Sequence, residues 1–428
     1  LHPWYQMYPI ASNPFYNQTA PHDYSVLNDW KQENPLVRQQ WKDAIKYWMT
    51  AYNVDGFRFD LVKGLGTSYP SGTEAYNASR VAVMKDLHAA IKAVKPNGIH
   101  INENLAGDKE ENEMAADGQL NWANINYNSC QFGMGYASGS NLERFLSTSD
   151  SRTAFSTVAY AESHDEERVG YKQKAYGYGS VKEDQYKRSR RLAQLAVQML
   201  LTPGPKMIWQ FGEFGADQTT KNSDDSNNTD PKTVVWYYKD ATDHVGIFEA
   251  YQAMCNLRRN NPDLFINGTF TQVGMNTQSF STNRIIRINN GDREIIALIN
   301  PNVEGAAKNV GYSVQRISAS NHQILSSSRN LTATPTFSGT TVKCSIPANG
   351  YIVLGTKSVL GVDDVTVDAD PSTAVKVYAD GREIVIAGEY TTATVYNVAG
   401  ALQPSLSVSA PGLYIVTVDG TAHKVLVR

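Results

Sequence analysis

Between residues 35 and 264 the sequence alternates amphipathic helical stretches with short apolar runs, and this alternation most limits the folds open to the chain. Trp41, Ile45, Trp48 and Tyr52 recur at helical spacing after the Asn34-Pro35 start signal, so 35–52 is expected to be a helix. A Gly/Ser-rich loop follows the next apolar run. Val81, Met84, Leu87, Ile91 and Val94 then mark a helix over 74–95, stopped by Pro96-Asn97-Gly98. Residues 119–127 read as a short strand and 141–147 as a short helix. The stretch through Leu192, Leu195, Ala196, Met199 and Leu200 reads as a long helix, 206–211 as a strand and 246–260 as a closing helix. Strand, helix and strand in turn imply parallel strands joined by right-handed crossovers. About five strands are legible, where a closed barrel of this kind has eight.

Three of the apolar runs end in ionisable groups. In Asp55-Gly56-Phe57-Arg58-Phe59-Asp60, alternation sets Arg58 and Asp60 on one face and the two phenylalanines on the other. A carboxylate beside a fixed cation stays ionised, as a nucleophile must be; the same pair also reads as a structural ion pair at a strand end. Ile99-His100-Ile101-Asn102 delivers Glu103, with no cation adjacent in sequence, a setting that raises a carboxyl pKa. Taken alone, Glu103 fits a structural role equally well. Thr157-Val158-Ala159-Tyr160-Ala161-Glu162-Ser163 delivers His164 and Asp165, and a core histidine bonded to backbone is the alternative reading of His164. In a barrel the carboxyl ends of the strands converge on one face, so the three carboxylates are expected to meet there.

Taken in order, these segments resemble the conserved regions of the α-amylase family of glycoside hydrolases: G-F-R-F-D ending at Asp60, the strand with Glu103, and S-H-D ending at Asp165. Leu27-Asn28-Asp29-Trp30 with Glu33-Asn34-Pro35 is similar to the acidic segment between the family's inserted domain and its fourth strand. The runs S-H-D-E-E-R at 163–168 and P-G-P-K-M-I-W-Q-F-G-E at 203–213 resemble secreted α-amylases of the Bacteroidetes type. The resemblance spans most of 1–356 and implies an α/β fold, a (β/α)8 TIM barrel. Residues 1–264 would form its catalytic part, with 1–30 a remnant of the inserted domain. The family's first region, a strand ending in Asp with Asn-His beyond it, has no counterpart. Three strands are therefore expected to lie outside this chain, whose start at Leu1, with neither initiator methionine nor signal peptide, reads as a cut end. A five-strand remnant would expose an apolar edge.

The resemblance also implies roles. Asp60 would be the nucleophile, Glu103 the acid that becomes the base, and Asp165 the carboxylate gripping hydroxyls of the distorted sugar. Arg58, His164 and Lys63 would contact substrate, Lys63 on the leaving-group side. Gly64 stands where many members carry a histidine whose backbone carbonyl binds calcium, so a backbone contact could survive. Calcium is otherwise left open, because its usual ligands belong to the absent region and the inserted domain; no organic cofactor is expected. Residues 222–230 are acidic and Asn-rich but lack the Gly-centred spacing of a calcium loop, and read as a solvated loop near the cleft. The implied activity is retaining hydrolysis of internal α-1,4-glucosidic bonds in starch or glycogen. Transglycosylation and a non-catalytic starch-binding surface protein are the alternatives.

From about 265 the pattern changes to alternating runs such as Arg284-Ile285-Ile286-Arg287-Ile288, with Gly/Asn/Ser turns between them, which implies an antiparallel β-sandwich over 265–356. A linker at 357–363 precedes a β-rich unit, 364–428, with a hairpin around Asp380-Gly381. Its runs from Thr394, from Pro411 and from Lys424 to Arg428 resemble the C-terminal sorting domain of the type IX secretion system. A small carbohydrate-binding sandwich is the rival. The sorting reading implies export by that machinery to the cell surface or medium of a Gram-negative cell.

A net charge of −3 with no basic stripe argues against a nucleic-acid partner and for a neutral or small substrate. No apolar run approaches the roughly 18 residues of a membrane span. The 24 tyrosines and 7 tryptophans suit sugar stacking, and suit strands equally. His2, Trp4, Tyr5, Tyr8, Tyr16 and His22 could form a sugar-facing wall or simply pack a loop. Cys130, Cys255 and Cys344 have wide, unrelated spacings, which indicates neither a disulfide framework nor a zinc site, although one pair could bridge. The histidines form no H-x-x-x-H, which argues against a transition-metal hydrolase.

Overall fold

The computed structural model describes residues 9–23, 28–66, 69, 72–226, 228, 230–359, 375–397 and 401–427. His2, Trp4, Tyr5, Tyr8 and Leu27 lie outside the described residues. The chain divides into two compact units, Leu1–Val362 and Asp363–Arg428.

In the first unit α1 (Pro35–Ala51) leads into β1 (Gly56–Phe59), α2 (Ala78–Val94) into β2 (Ile99–Asn102), and α3 (Asp108–Ala116) into β3 (Leu120–Asn124). Next, α4 (Asn126–Met134) precedes β4 (Thr157–Tyr160), and α5 (Val169–Tyr176), α6 (Ser180–Glu183) and α7 (Gln185–Leu201) precede β5 (Lys206–Met207). The five strands are parallel and pair in chain order, which makes the sheet an open half-barrel. Side-chain caps start three helices: Asn34 accepts from Leu36 N–H (2.9 Å), Asn77 from Ser79 N–H (3.1 Å), and Asp184 from Lys187 N–H (3.2 Å). Gly56 opens β1 because a Cβ there would lie 1.9 Å from the Ile99 carbonyl oxygen of the paired strand.

Four local expectations change. On α1 the buried positions are Val37, Ile45 and Met49; Trp48 and Tyr52 stack on each other at 4.7 Å on the exposed side. Residues 141–147 form two short 3-10 turns, Glu143–Phe145 and Ser147–Asp150, in place of a helix. The expected strand over 206–211 stops at Met207, because the chain turns left-handed at Phe211 (φ 63°) into a 3-10 turn. Helices α3, α4 and α5 arise in stretches with no apolar helical stripe.

After α8 (Val245–Asn260) and α9 (Pro262–Asn267) come eight antiparallel strands: β6 (Thr269–Val273), β7 (Arg284–Asn290), β8 (Arg293–Asn300), β9 (Lys308–Ser313), β10 (Gln323–Ser327), β11 (Thr336–Ser338), β12 (Thr341–Ile346) and β13 (Gly350–Gly355). They form sheets ordered β10-β13-β8-β7-β6 and β11-β12-β9. Alternation along β8 serves two cores. Ile295, Ala297 and Ile299 join the cluster containing α4, α7 and α8, while Ile296 and Leu298 join Val310, Val342 and Ile352 between the sheets. Buried Arg191 ties the half-barrel to these strands through the carbonyls of Phe132 and Gly133 on one side and of Pro301 on the other. All three cysteines are free thiols.

The second unit holds the hairpin of β14 (Lys376–Asp380) and β15 (Glu383–Ala387), which turns at Gly381 (φ 59°). Beside it lies a sheet of β16 (Ala393–Asn397), β17 (Leu402–Gln403), β18 (Gly412–Val418) and β19 (Thr421–Val427), ordered β17-β16-β18-β19. Ile384, Val395, Tyr414, Val416 and Val425 form its core.

Candidate active site

The parallel register of β1 and β2 pairs Phe59 with Asn102, so Asp60 and Glu103 each stand one residue past adjacent strand ends, at the same height. Glu103 N–H donates to the Phe59 carbonyl (2.9 Å), and Val62 N–H donates to the Glu103 carbonyl (2.9 Å), which stitches the two ends together. Arg58 lies between the carboxylates. Its Nη1 donates to Asp60 Oδ1 at 2.7 Å and its Nη2 to Glu103 Oε2 at 2.5 Å. The expectation that Glu103 lacks a cation held only along the sequence, since strand pairing brings Arg58 across. The guanidinium carbon sits 4.0 Å from the ring centroid of Trp122 on β3, which fixes its plane.

Glu103 is shielded while Asp60 is open: their side chains are 15% and 73% exposed. Burial raises the Glu103 pKa above the ordinary carboxyl value. Leu61 N–H (3.0 Å) and Arg58 pull it down, and neighbouring Asp60 pushes it up. Leu61 and Leu105, each following one of these carboxylates closely, adopt left-handed backbone (φ 44° and 50°). For a branched residue that costs about 1–2 kcal/mol each, a strain of the kind concentrated at functional sites.

Two buried ion pairs anchor the loops behind the carboxylates. Arg80 and Glu110, both fully buried, meet in a bidentate pair at 2.6 and 2.7 Å. Arg80 also donates to the Lys63 (2.6 Å) and Thr73 (3.1 Å) carbonyls, while Glu110 accepts from Asn77 N–H (2.8 Å) and from Asn104 (2.9 Å). One pair thus ties the loop after Asp60 to the residue after Glu103. Arg152 pairs with Glu111 (2.6 Å) and Asp108, and holds the Ala106 carbonyl. No sequence motif marks these residues, although two glutamates of the acidic run 108–113, Glu110 and Glu111, are buried.

His164 and Asp165 follow β4, with Nε2 and Oδ1 at 3.4 Å. His164 is half-exposed, which removes the core-histidine alternative; its ring lies near Trp122 (6.1 Å) and Trp209 (5.8 Å). Their loop is bonded along its length. Glu166 accepts from Ser163 N–H (3.1 Å), from the Ser163 hydroxyl and from Asn124 on β3, and Asp165 N–H donates to Ser163 Oγ (3.2 Å). At its root Glu162 accepts from Val169 N–H (2.6 Å) and faces Arg168 at 3.7 Å. Burial raises the phenol pKa of Tyr160, and the carboxylates of Glu166, Glu103 and Asp165 raise it further while Arg58 lowers it.

Lys63 Nζ pairs with Glu74 at 2.6 Å, so contact with a sugar would exchange that partner. Gly64 borders a cavity lined also by His22, Asp29, Trp30, Trp41 and Asp60. Tyr16 and Trp30 meet edge to face at 6.3 Å, so this aromatic packs the loop. Asp29 is held by Asn17 (2.6 Å) and faces His22 at 3.5 Å. Calcium takes six to eight oxygens, roughly. Among the described residues no group of three or more His, Cys, Asp or Glu side chains that could hold a metal ion is present. In the 222–230 loop, Asp224 is bonded locally to Ser226 (3.0 Å).

A parallel half-barrel in which Asp60, Glu103 and Asp165 follow the carboxyl ends of β1, β2 and β4 has the layout of a barrel enzyme. Residues 11–244 match the model of the α-amylase catalytic domain, and the chain belongs to the α-amylase family of glycoside hydrolases. Solved structures of similar fold include an α-amylase from H. orenii (TM-score 0.55, 17% identity, 78% of this chain and 67% of that one). Amy13B of Eubacterium rectale gives TM-score 0.56 at 14% identity, covering 78% and 66%. A pullulanase from Anoxybacillus sp. LM18-11, complexed with maltotetraose, gives 0.53 at 18%, covering 77% and 48%. The chain spans between about half and two thirds of those proteins. No curated protein matches it.

Proposed function

We propose that the protein is a retaining hydrolase of internal α-1,4-glucosidic bonds in starch- or glycogen-type glucans. The observation that carries this reading is the single guanidinium of Arg58, bonded to Asp60 and Glu103 at the ends of adjacent strands. Retention needs two carboxyl groups roughly 5 Å apart, one ionised and one protonated. Asp60, exposed and paired, attacks the anomeric carbon and forms a glycosyl ester as the glycosidic oxygen leaves. Glu103, raised by burial, gives that oxygen its proton. The Glu103 carboxylate then takes a proton from water, whose oxygen attacks the same carbon and releases Asp60. Asp165 and His164 hold sugar hydroxyls, in bonds that tighten as the ring flattens. Trp122 and Trp209 supply the aromatic wall beside them.

The 364–428 unit serves export through type IX secretion machinery, as its resemblance implies, and places the enzyme at the cell surface or in the medium of a Bacteroidetes-type cell. Reducing sugar released from soluble starch by the chain and by Asp60→Asn tests the catalytic reading: the variant should release none above background, and equal release would refute it. Products longer than the starting maltooligosaccharide would mark a transglycosylase instead.

A further inference from the structure

Between α4 and α5 lies a cavity of about 560 Å³, lined by none of Asp60, Glu103 and Asp165 and within the roughly 300–1,000 Å³ of small-molecule sites. Tyr127, Tyr136 and Tyr176 line it together with Asn126, Gln131 and Lys172. Tyr127 and Tyr176 are 66% and 55% exposed, more than a packing role requires of a ring. The Tyr136 hydroxyl donates to the Tyr176 carbonyl (3.1 Å) and so fixes one wall. Lys172 Nζ stands 5.1 Å from the Tyr176 ring centroid. Among the described residues no carboxylate lines the space.

That lining selects a ligand class. Aromatic faces take the C–H face of a pyranose, while phenol, amide and ammonium groups meet hydroxyls in either hydrogen-bonding sense. One cation is too few for a nucleic acid. Cys130 at the floor is buried, and burial raises its thiol pKa, so the cavity binds without covalent chemistry. Asn126 also belongs to the active loop's support, since its Nδ2 donates to the carbonyls of Ala161 (2.9 Å) and Glu167 (3.1 Å), which bracket His164 and Asp165.

We infer that this cavity is an accessory site for a short neutral α-glucan segment, separate from the Asp60–Glu103 cleft. The choice of glucan rests on the function proposed above. The test uses the full chain. Asp60→Asn blocks turnover, and maltoheptaose binding is followed by calorimetry with and without Tyr127→Ala/Tyr176→Ala. Loss of one class of sites, or affinity weakened at least about tenfold, is expected, because truncating an aromatic anchor costs about that much. On the Asp60 background the same two substitutions should change hydrolysis of a short chromogenic maltoside less than about twofold, and leave the melting temperature in place because both rings are exposed. Unchanged maltoheptaose binding in the double tyrosine variant overturns the site. Tyrosine-dependent binding in a chain that hydrolyses no maltoside supports the site and overturns only the enzymatic reading.

Discussion

Arg58 on β1 donates a 2.5 Å hydrogen bond to Glu103 beyond the end of β2 while holding Asp60 at 2.7 Å, so one side chain sets the spacing of both carboxylates. A lysine has no fork to bridge them. Arg58→Lys is expected to lower kcat/KM on maltooligosaccharides by about 10²-fold, and Arg58→Leu by more, the scale of losing one preorganised donor. Steady-state kinetics beside a thermal melt check this; a loss traced entirely to unfolding would remove Arg58 from the site.

The same contact predicts a pH effect. Glu103 must be protonated to act as acid, and burial raises its pKa while Arg58 and Leu61 N–H lower it. Activity is therefore lost as pH rises through a value above the ordinary glutamate range. Removing Arg58 takes away a stabiliser of the anion, so the alkaline limb of kcat/KM should move to higher pH in Arg58→Leu. Movement to lower pH would mean another group sets that limb.

Glu110→Ala leaves Arg80 charged, fully buried and without its bidentate partner. Breaking one half of such a pair costs about 3–5 kcal/mol, enough to loosen the loops after both Asp60 and Glu103. Chemical denaturation should show that loss. A change below about 1 kcal/mol, the worth of an exposed pair, would mean that solvent screens the pair.

Glu162 is raised by burial first, with Glu213 and Glu166 adding to the rise and Arg168 and Val169 N–H opposing it. A carboxyl raised on folding holds its proton more tightly in the native state. Its contribution to stability is complete below the unfolded value, about 4.3 for glutamate, and is lost as pH rises through the higher native one. Glu162→Gln removes that titration, so its melting temperature should fall less than the parent's over the same window. Equal pH slopes would contradict this.

How much of this was legible in the sequence depended on which interaction carried each element. Alternation in 57–60 and the apolar run before Glu103 announced β1 and β2, because a side chain's face on a strand follows from its position alone. Helix α3 stayed hidden because two residues of its inward side, Glu110 and Glu111, are paired with distant Arg80 and Arg152, which no local pattern reports. Helix α4 opens Asn-Tyr-Asn-Ser, weak helix formers with no side-chain cap, and is fixed instead by Cys130, Phe132 and Met134 in the core. On α1, periodicity put Trp48 and Tyr52 inside because it counts apolar residues without knowing which stripe has a partner. The pairing of Arg58 with Glu103 required the register of two strands, 45 residues apart in sequence.

Mass spectrometry of Glu103→Gln incubated with α-maltosyl fluoride, whose leaving group needs no proton from an acid, tests the central claim most directly. The glycosyl ester should form and persist, because its hydrolysis lacks a base, and a maltosyl adduct should appear on the peptide containing Asp60 and vanish in Asp60→Asn. An adduct on a different residue, or the same labelling after Asp60 is replaced, would contradict the account.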